Sequence, residues 1–308
     1  MESTPLGTVF RPGSDTVQAD IFWKIRLPRT LTAFFAGAAL ALSGMAFQAL
    51  FRNPLATPFT LGVSSGASLG AAIYLRAGIL FSFIGISGQS VFSFVGAVSA
   101  ILFVYGMTRV KKGFSTATML LAGVAASFFF SSMILFMQYI SDFTNSFRIL
   151  RWLMGGLEIV GYRPVMNILP FVLVGSVIVS FLTHELNLMI TGEDIAISRG
   201  VNVRRVRSLL FFAVSLMVGG VVSVCGPIGF VGMMSPHICR LLVGPDHRYL
   251  IPASFMFGGA FLTICDTISR TLIAPAEIPV GIITALLGGP FFLWLLLSGT
   301  TERGILGR

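Results

Sequence analysis

The chain has 308 residues, of which 55% are hydrophobic and 11% charged, with a formal net charge of +9. A soluble domain carries about 25% charged residues, so too few charges are present to solvate a globular surface and lipid must solvate much of the chain. The apolar runs are long and continuous, which excludes an outer-membrane barrel with its short segments of alternating polarity, and the basic excess reads as Lys and Arg in cytoplasmic loops rather than as a nucleic-acid footprint.

A transmembrane helix takes roughly 20 apolar residues, so the expected fold is an all-α, polytopic transmembrane helical bundle of about nine or ten spans. Residues 1–30 form a polar N-terminal segment with no visible signal peptide. The first span is predicted from Leu31 to Phe51, closed by the turn Arg52-Asn53-Pro54, and the second from Phe59 to Leu75. A third lies within Ile79–Met107, ahead of Arg109, Lys111 and Lys112, and a fourth runs from Ala117 to Ile140. Ser141–Pro164 is too polar for lipid, but its Trp152 and Tyr162 suit an interface. The fifth span is Val165–Thr183. Beyond the charged stretch Glu193–Arg207, apolar runs resume at Ser208–Cys225, Met233–Val243, Ile251–Ile273 and Val280–Leu297. Thus residues 31–300 make the membrane domain, 191–207 a charged segment within it, and 301–308 a polar tail.

Strictly alternating spans place Arg109, Lys111, Lys112, Arg199–Arg207, Arg248, Arg303 and Arg308 on one side, the cytoplasm by the positive-inside rule. Lys24, Arg26, Arg29, Arg148, Arg151 and Arg163 are left outside and need another reason. Gly62, Gly66 and Gly70 make a stripe of small residues on which a second helix can approach closely; packing is the favoured reading over a direct pore lining, and Gly219-Gly220 and Gly288-Gly289 read the same way. Thr191 reads as an N-cap with Asp194 reaching back as the capping-box acid. Gly200 then ends a two-turn helix, and Asn202 caps the next, which carries Arg204, Arg205 and Arg207. The result is a compact basic knob. Asp266 and Arg270 stand in the favourable i,i+4 order for a helical ion pair, near the outer end of their span. Gly226–Gly232 breaks a helix at membrane depth, where such backbone must be shielded by protein or line a cavity. His237 is a ligand or proton relay on one reading and a structural residue at a helix start after Pro236 on the favoured one. Cys225, Cys239 and Cys265 lack metal or disulfide spacing and read as small core residues. No phosphate loop, metal cluster or nucleophile triad is present, so no catalytic residue and no cofactor is expected.

Several segments in this order resemble the FecCD family of ABC importer permeases. They are Arg26-Leu27-Pro28-Arg29-Thr30, Ala38 to Gly44, Asn53-Pro54-Leu55-Ala56, Leu61 to Gly66, Leu121-Ala122-Gly123-Val124, Trp152 to Gly156, Gly226 to Gly232, Pro236-His237, Asp246-His247-Arg248 and Glu277 to Gly281. The resemblance covers about Arg26 to Leu297. It implies a type II importer fold with ten helices per subunit, a dimer of permeases with the path between them, two ATPase subunits on the inner face and a periplasmic or lipid-anchored substrate-binding protein outside. The substrates it implies are iron–siderophores, haem or cobalamin, and the location is the inner membrane. It further implies that Arg26, Arg29 and Arg270 pair with glutamates of the binding protein. Asn53, Leu55 and Thr116 would narrow the path at the cytoplasmic side, although Ala117 stands where the family has a gate hydroxyl. Thr191, Gly192, Glu193, Asp194, Gly200, Arg204 and Arg205 would receive the ATPase stroke. The family also carries a span before the Arg26–Arg29 motif. A polar segment stands there instead, which reads as a late recorded start or as nine spans with an external N-terminus; exporting Lys24, Arg26 and Arg29 without a leading span is awkward and favours the former. An ion-gradient-driven secondary transporter is the competing function; it would place acids or broken helices at the midplane.

Overall fold

From Leu31 to Phe51 the chain carries no charged residue, and this run forms most of the long buried helix α1 (Val17–Phe51). The computed structural model describes residues 17–79, 81–83, 85–110 and 116–297. Helix α1 passes through a single wide turn at Phe22–Arg26 and stops at Arg52, which adopts a left-handed φ of 48°. Its start at Val17 lies N-terminal to the predicted Leu31, because the helix continues past the lipid-compatible run into polar residues.

Next come α2 (Val63–Ala77), a small hairpin of β1 (Ser82–Phe83) and β2 (Ile86–Ser87), and α3 (Gly88–Val110). Helices α2 and α3 touch backbone to backbone. A Cβ at Gly66 would sit 2.6 Å from the Gly96 carbonyl oxygen, and one at Gly70 would overlap the Phe92 carbonyl. The small-residue stripe is therefore packing, while Gly62 serves as the left-handed N-cap of α2. Gly219, Gly220 and Gly288 instead make room for side chains, those of Ala97, Phe171 and Phe230, whereas Gly289 faces open space.

The chain continues with α4 (Thr116–Tyr139) and the short amphipathic α5 (Phe143–Leu153), which buries Ile149 and exposes Arg148 and Phe147. Then follow α6 (Arg163–Phe181), α7 (Thr183–Thr191), α8 (Glu193–Ser198), α9 (Val203–Cys225), α10 (Val231–Val243), α11 (His247–Thr271) and α12 (Val280–Leu297). Helix α1 is the hub: α11 runs antiparallel along it, and α9, α10 and α6 pack around it. The rings of Phe47 and Phe211 stack at 6.3 Å, and Tyr105 stacks on Phe211 at 6.4 Å, so α1, α9 and α3 meet in one core. Phe47 and Phe211 are fully buried, and each contributes about 1.5–3 kcal/mol.

Among the described residues six helices are long and apolar enough to cross a membrane: α1, α3, α4, α6, α9 and α11. Helices α2, α10 and α12 are shorter. The all-helical class is as expected; six spans, rather than nine or ten, meet the length criterion. The tail 301–308, Lys111, Lys112 and Ser115 lie outside the described residues.

Two predicted boundaries are corrected. Thr191 is not an N-cap: it ends α7, a helix that buries Leu186 and Met189, and its hydroxyl donates to the Leu188 carbonyl at 2.7 Å. Gly192, with φ 153° and ψ 145°, stands between α7 and α8, and Asp194 makes no capping bond there. Likewise, Pro236 and His237 do not start a helix but lie inside α10, which begins at Val231. Proline there removes one amide donor and frees the Gly232 carbonyl. Gln48 of α1 reaches that oxygen at 3.5 Å and the Met233 carbonyl at 3.4 Å through Nε2.

Candidate functional site

The polar chemistry of the bundle gathers at its two ends. At one end Arg29 of α1 is 7% exposed, and each of its three guanidinium nitrogens donates to a carboxylate. Nε donates to both Asp266 oxygens at 3.0 and 3.1 Å, Nη2 to Asp266 Oδ1 at 2.9 Å, and Nη1 to Glu277 Oε2 at 2.8 Å. Asp266 is almost completely buried and also pairs with Arg270 Nε at 3.2 Å, the i,i+4 bridge expected from the sequence. One acid thus ties α1 to α11, and Glu277 ties the connection between α11 and α12 to α1. Of the three predicted docking arginines, Arg26 is exposed, Arg270 is half-buried and Arg29 lies beneath them. The sequence reading paired Asp266 with Arg270 alone and missed Glu277 as a partner.

Beside this cluster a cavity of about 990 Å³ opens between α2, α5 and the end of α9. Tyr74, Gln89, Arg148, Arg151, Trp152 and Glu158 are among its lining residues. Arg151 bridges Glu158 at 2.6 Å. The end of α9 is held here, because the Gly156 amide donates to the Cys225 carbonyl at 2.8 Å and the Gly281 amide to the Gly155 carbonyl at 3.3 Å. From Cys225 the non-helical run Gly226–Phe230 descends into the bundle. It delivers Val231 opposite Leu40–Gly44 of α1, roughly 17–22 Å beyond Arg29 at 1.5 Å per helical residue. A Cβ at Gly44 would overlap the carbonyl of Gly232 in the first turn of α10; within the irregular run itself Gly226 and Ile228 are buried, while Pro227, Gly229 and Phe230 are half-buried. A second cavity of about 190 Å³ lies there, between Leu40, Thr57–Thr60 and Phe230.

At the opposite end lies the knob. Helix α8 ends at Ser198, and Gly200 at φ 84° makes the turn, as expected. Asn202 caps α9 by accepting the Arg205 amide at 3.1 Å, a contact of about 1 kcal/mol for a typical N-cap. Arg204 and Arg205 are exposed. Arg207 turns inward instead, and its Nη2 reaches Glu193 Oε2 at 3.0 Å, linking α8 to α9. Close by, Asp246 caps α11 through the Arg248 amide at 2.9 Å and accepts Asn187 Nδ2 at 2.8 Å. These bonds, the Arg248 amide first, hold its carboxyl below the usual carboxylate range. Asn187 also accepts the His247 amide at 2.9 Å, joining α7 to α11. Sequence reasoning overlooked this tie because α7 carries no capping signal of its own.

Of the predicted gate residues, Asn53 closes a turn by accepting the Leu55 amide at 2.9 Å, and Leu55 is exposed. Thr116 is the first residue of α4, and its side chain lies outside the described residues. His237 is buried with its ring edge-on to Phe291 at 6.0 Å. All three cysteines are buried thiols.

Comparison with known proteins adds four findings. A family model described as the FecCD transport family matches residues 2–298. The chain is 36% identical over 303 residues to the hemin transport system permease protein HmuU of Yersinia pestis, covering 97% of this chain and 90% of that protein. It is 42% identical over 276 residues to the cobalamin import system permease protein BtuC of Halobacterium salinarum, covering 88% and 72% respectively. A solved structure of a transporter assigned to the metal-chelate ABC type, in an inward-facing conformation, superposes with a TM-score of 0.85 at 33% identity, over 93% of this chain and 90% of that one.

Proposed function

The chain belongs to the FecCD transport family, and on that premise we propose that it is the membrane permease subunit of an ATP-binding-cassette importer. Its cargo would be an iron chelate, siderophore or haem, or cobalamin, carried across the inner membrane. The observation that carries this reading is the match along almost the whole chain, to a family whose named relatives include haemin and cobalamin permeases. Helices α2, α10 and α12 join the six long helices as shorter crossings, giving nine.

In this reading the Arg205 end faces the cytoplasm. ATP is hydrolysed on two separate subunits that seat on the knob, Thr191–Arg205, and this chain only shapes the passage together with a second permease copy. Three features support that role for the knob: exposed arginines, a capped basic helix, and the Glu193–Arg207 bridge into α9. Asn53, Leu55 and Thr116 narrow the passage on the same side. At the opposite face Arg26 and Arg270 meet acidic side chains of a substrate-binding protein, with Arg29 behind them. Complementary charge at such a face speeds encounter and fixes register. The gradient-driven alternative is not favoured: the buried acid Asp266 is neutralised by two arginines of its own chain.

The test is reconstitution in vesicles with the ATPase that co-purifies. Uptake should require ATP and no ion gradient. Arg205→Glu is expected to abolish uptake while leaving the permease folded, because it reverses charge on an exposed coupling surface. Uptake without ATP would overturn the importer, and normal uptake by Arg205→Glu would overturn the coupling assignment.

A further inference from the structure

Resting on the docking reading above, we infer that Glu277 is an internal stand-in for a partner's carboxylate. It occupies Nη1 of Arg29 until an acidic side chain of the substrate-binding protein displaces it. Asp266 holds one edge of the guanidinium through Nε and Nη2 at 2.9–3.1 Å and is 1% exposed, so that edge is closed to any visitor. The third nitrogen, Nη1, donates to Glu277 Oε2 at 2.8 Å. Glu277 differs from Asp266 in two ways: it sits in the connection between α11 and α12, and its side chain is 38% exposed. Water reaches the Glu277 end of its bond and competes for it, whereas breaking the buried Asp266 pair strands a charge. Of the two acids, Glu277 is the one that can leave.

The exchange is like for like. An incoming carboxylate restores the bond that Glu277 gives up, so Arg29 is never left unpaired. Arg26, one helical turn before Arg29 on α1, and Arg270, which shares Asp266, flank the position and draw an acidic surface towards it. The connection that Glu277 anchors is otherwise tied at Ile278, whose amide donates to the Ser269 carbonyl at 3.1 Å, and it runs straight into α12. Docking therefore frees the Glu277 side chain while the Ile278 amide keeps the connection on α11. A permease whose competent state is only partly populated binds more weakly by that fraction, and Glu277 sets the fraction here.

The measurement is the affinity of the substrate-binding protein for the permease–ATPase complex in nanodiscs. Glu277→Gln is expected to bind about three- to tenfold tighter, because the internal competitor is gone. Glu277→Asp keeps the charge but withdraws the carboxylate from Nη1, and it should share the gain. Unchanged or weaker binding by Glu277→Gln overturns the exchange. So does a gain confined to Gln, since bulk surface charge would then explain it. Arg26→Glu combined with Arg270→Glu tests the docking reading separately and should lose binding. If that variant binds as wild type, docking at this face falls and the role of Glu277 with it; if it loses binding while Glu277→Gln gains nothing, only the exchange falls.

Discussion

Asp266→Ala is expected to cost about 3–5 kcal/mol, the penalty for removing one partner of a buried ion pair. Arg29 would keep its burial and lose three of its four hydrogen bonds, and Arg270 would lose its carboxylate. Because Asp266 joins α11 to α1, the hub helix, the loss should be global. The folded yield and the melting temperature in detergent should both fall sharply. The paired replacement Arg29→Met with Asp266→Leu should recover most of that stability, since exchanging a buried pair for packed apolar groups is often neutral. A melting temperature for Asp266→Ala equal to wild type would show that the pair does not hold the two helices together.

The second large effect is expected at Gly44. Even a methyl there would overlap the Gly232 carbonyl, and both atoms belong to backbone that no rotamer change can move aside. Gly44→Leu must therefore separate α10 from α1. Overpacking usually costs about 1–3 kcal/mol and sometimes more, and here it also lifts the start of a helix that begins inside the bundle. Uptake should be lost, with a lowered melting temperature, and Gly44→Ala should show a weaker form of the same defect. Gly289→Ala is the control for stability, because nothing lies within 4 Å of its added Cβ. Wild-type transport by Gly44→Leu would mean that the close crossing is dispensable.

Features whose partners are near in sequence could be read in advance. Asn202 is three residues from the amide it caps, Gly200 follows directly on its helix, and Asp266 and Arg270 are one turn apart. The apolar runs located the long helices to within a few residues at most ends, because lipid demands unbroken hydrophobicity. Contacts that cross the fold were not readable. Arg29 and Asp266 lie 237 positions apart, so neither residue's neighbours hint at the other. Thr191 misled because Thr-Gly-Glu-Asp satisfies the local rule for a helix start, while the burial of Leu186 and Met189 makes the preceding segment helical too. Pro236 misled in a similar way. A proline usually marks a first turn, but here a side chain from another helix meets the carbonyl it frees.

That side chain also constrains how the machine can move. Gln48 turns its amide nitrogen to the Gly232 and Met233 carbonyls and its oxygen to Arg240 Nη2 at 3.2 Å. Swivelling the amide would set like dipoles against each other at every contact. Helix α10 is thus pinned to α1 at both its first and its last turns and cannot roll about its own axis without breaking one grip or the other. The two helices are coupled as a single strut, so a movement of α10 is expected to carry α1 with it.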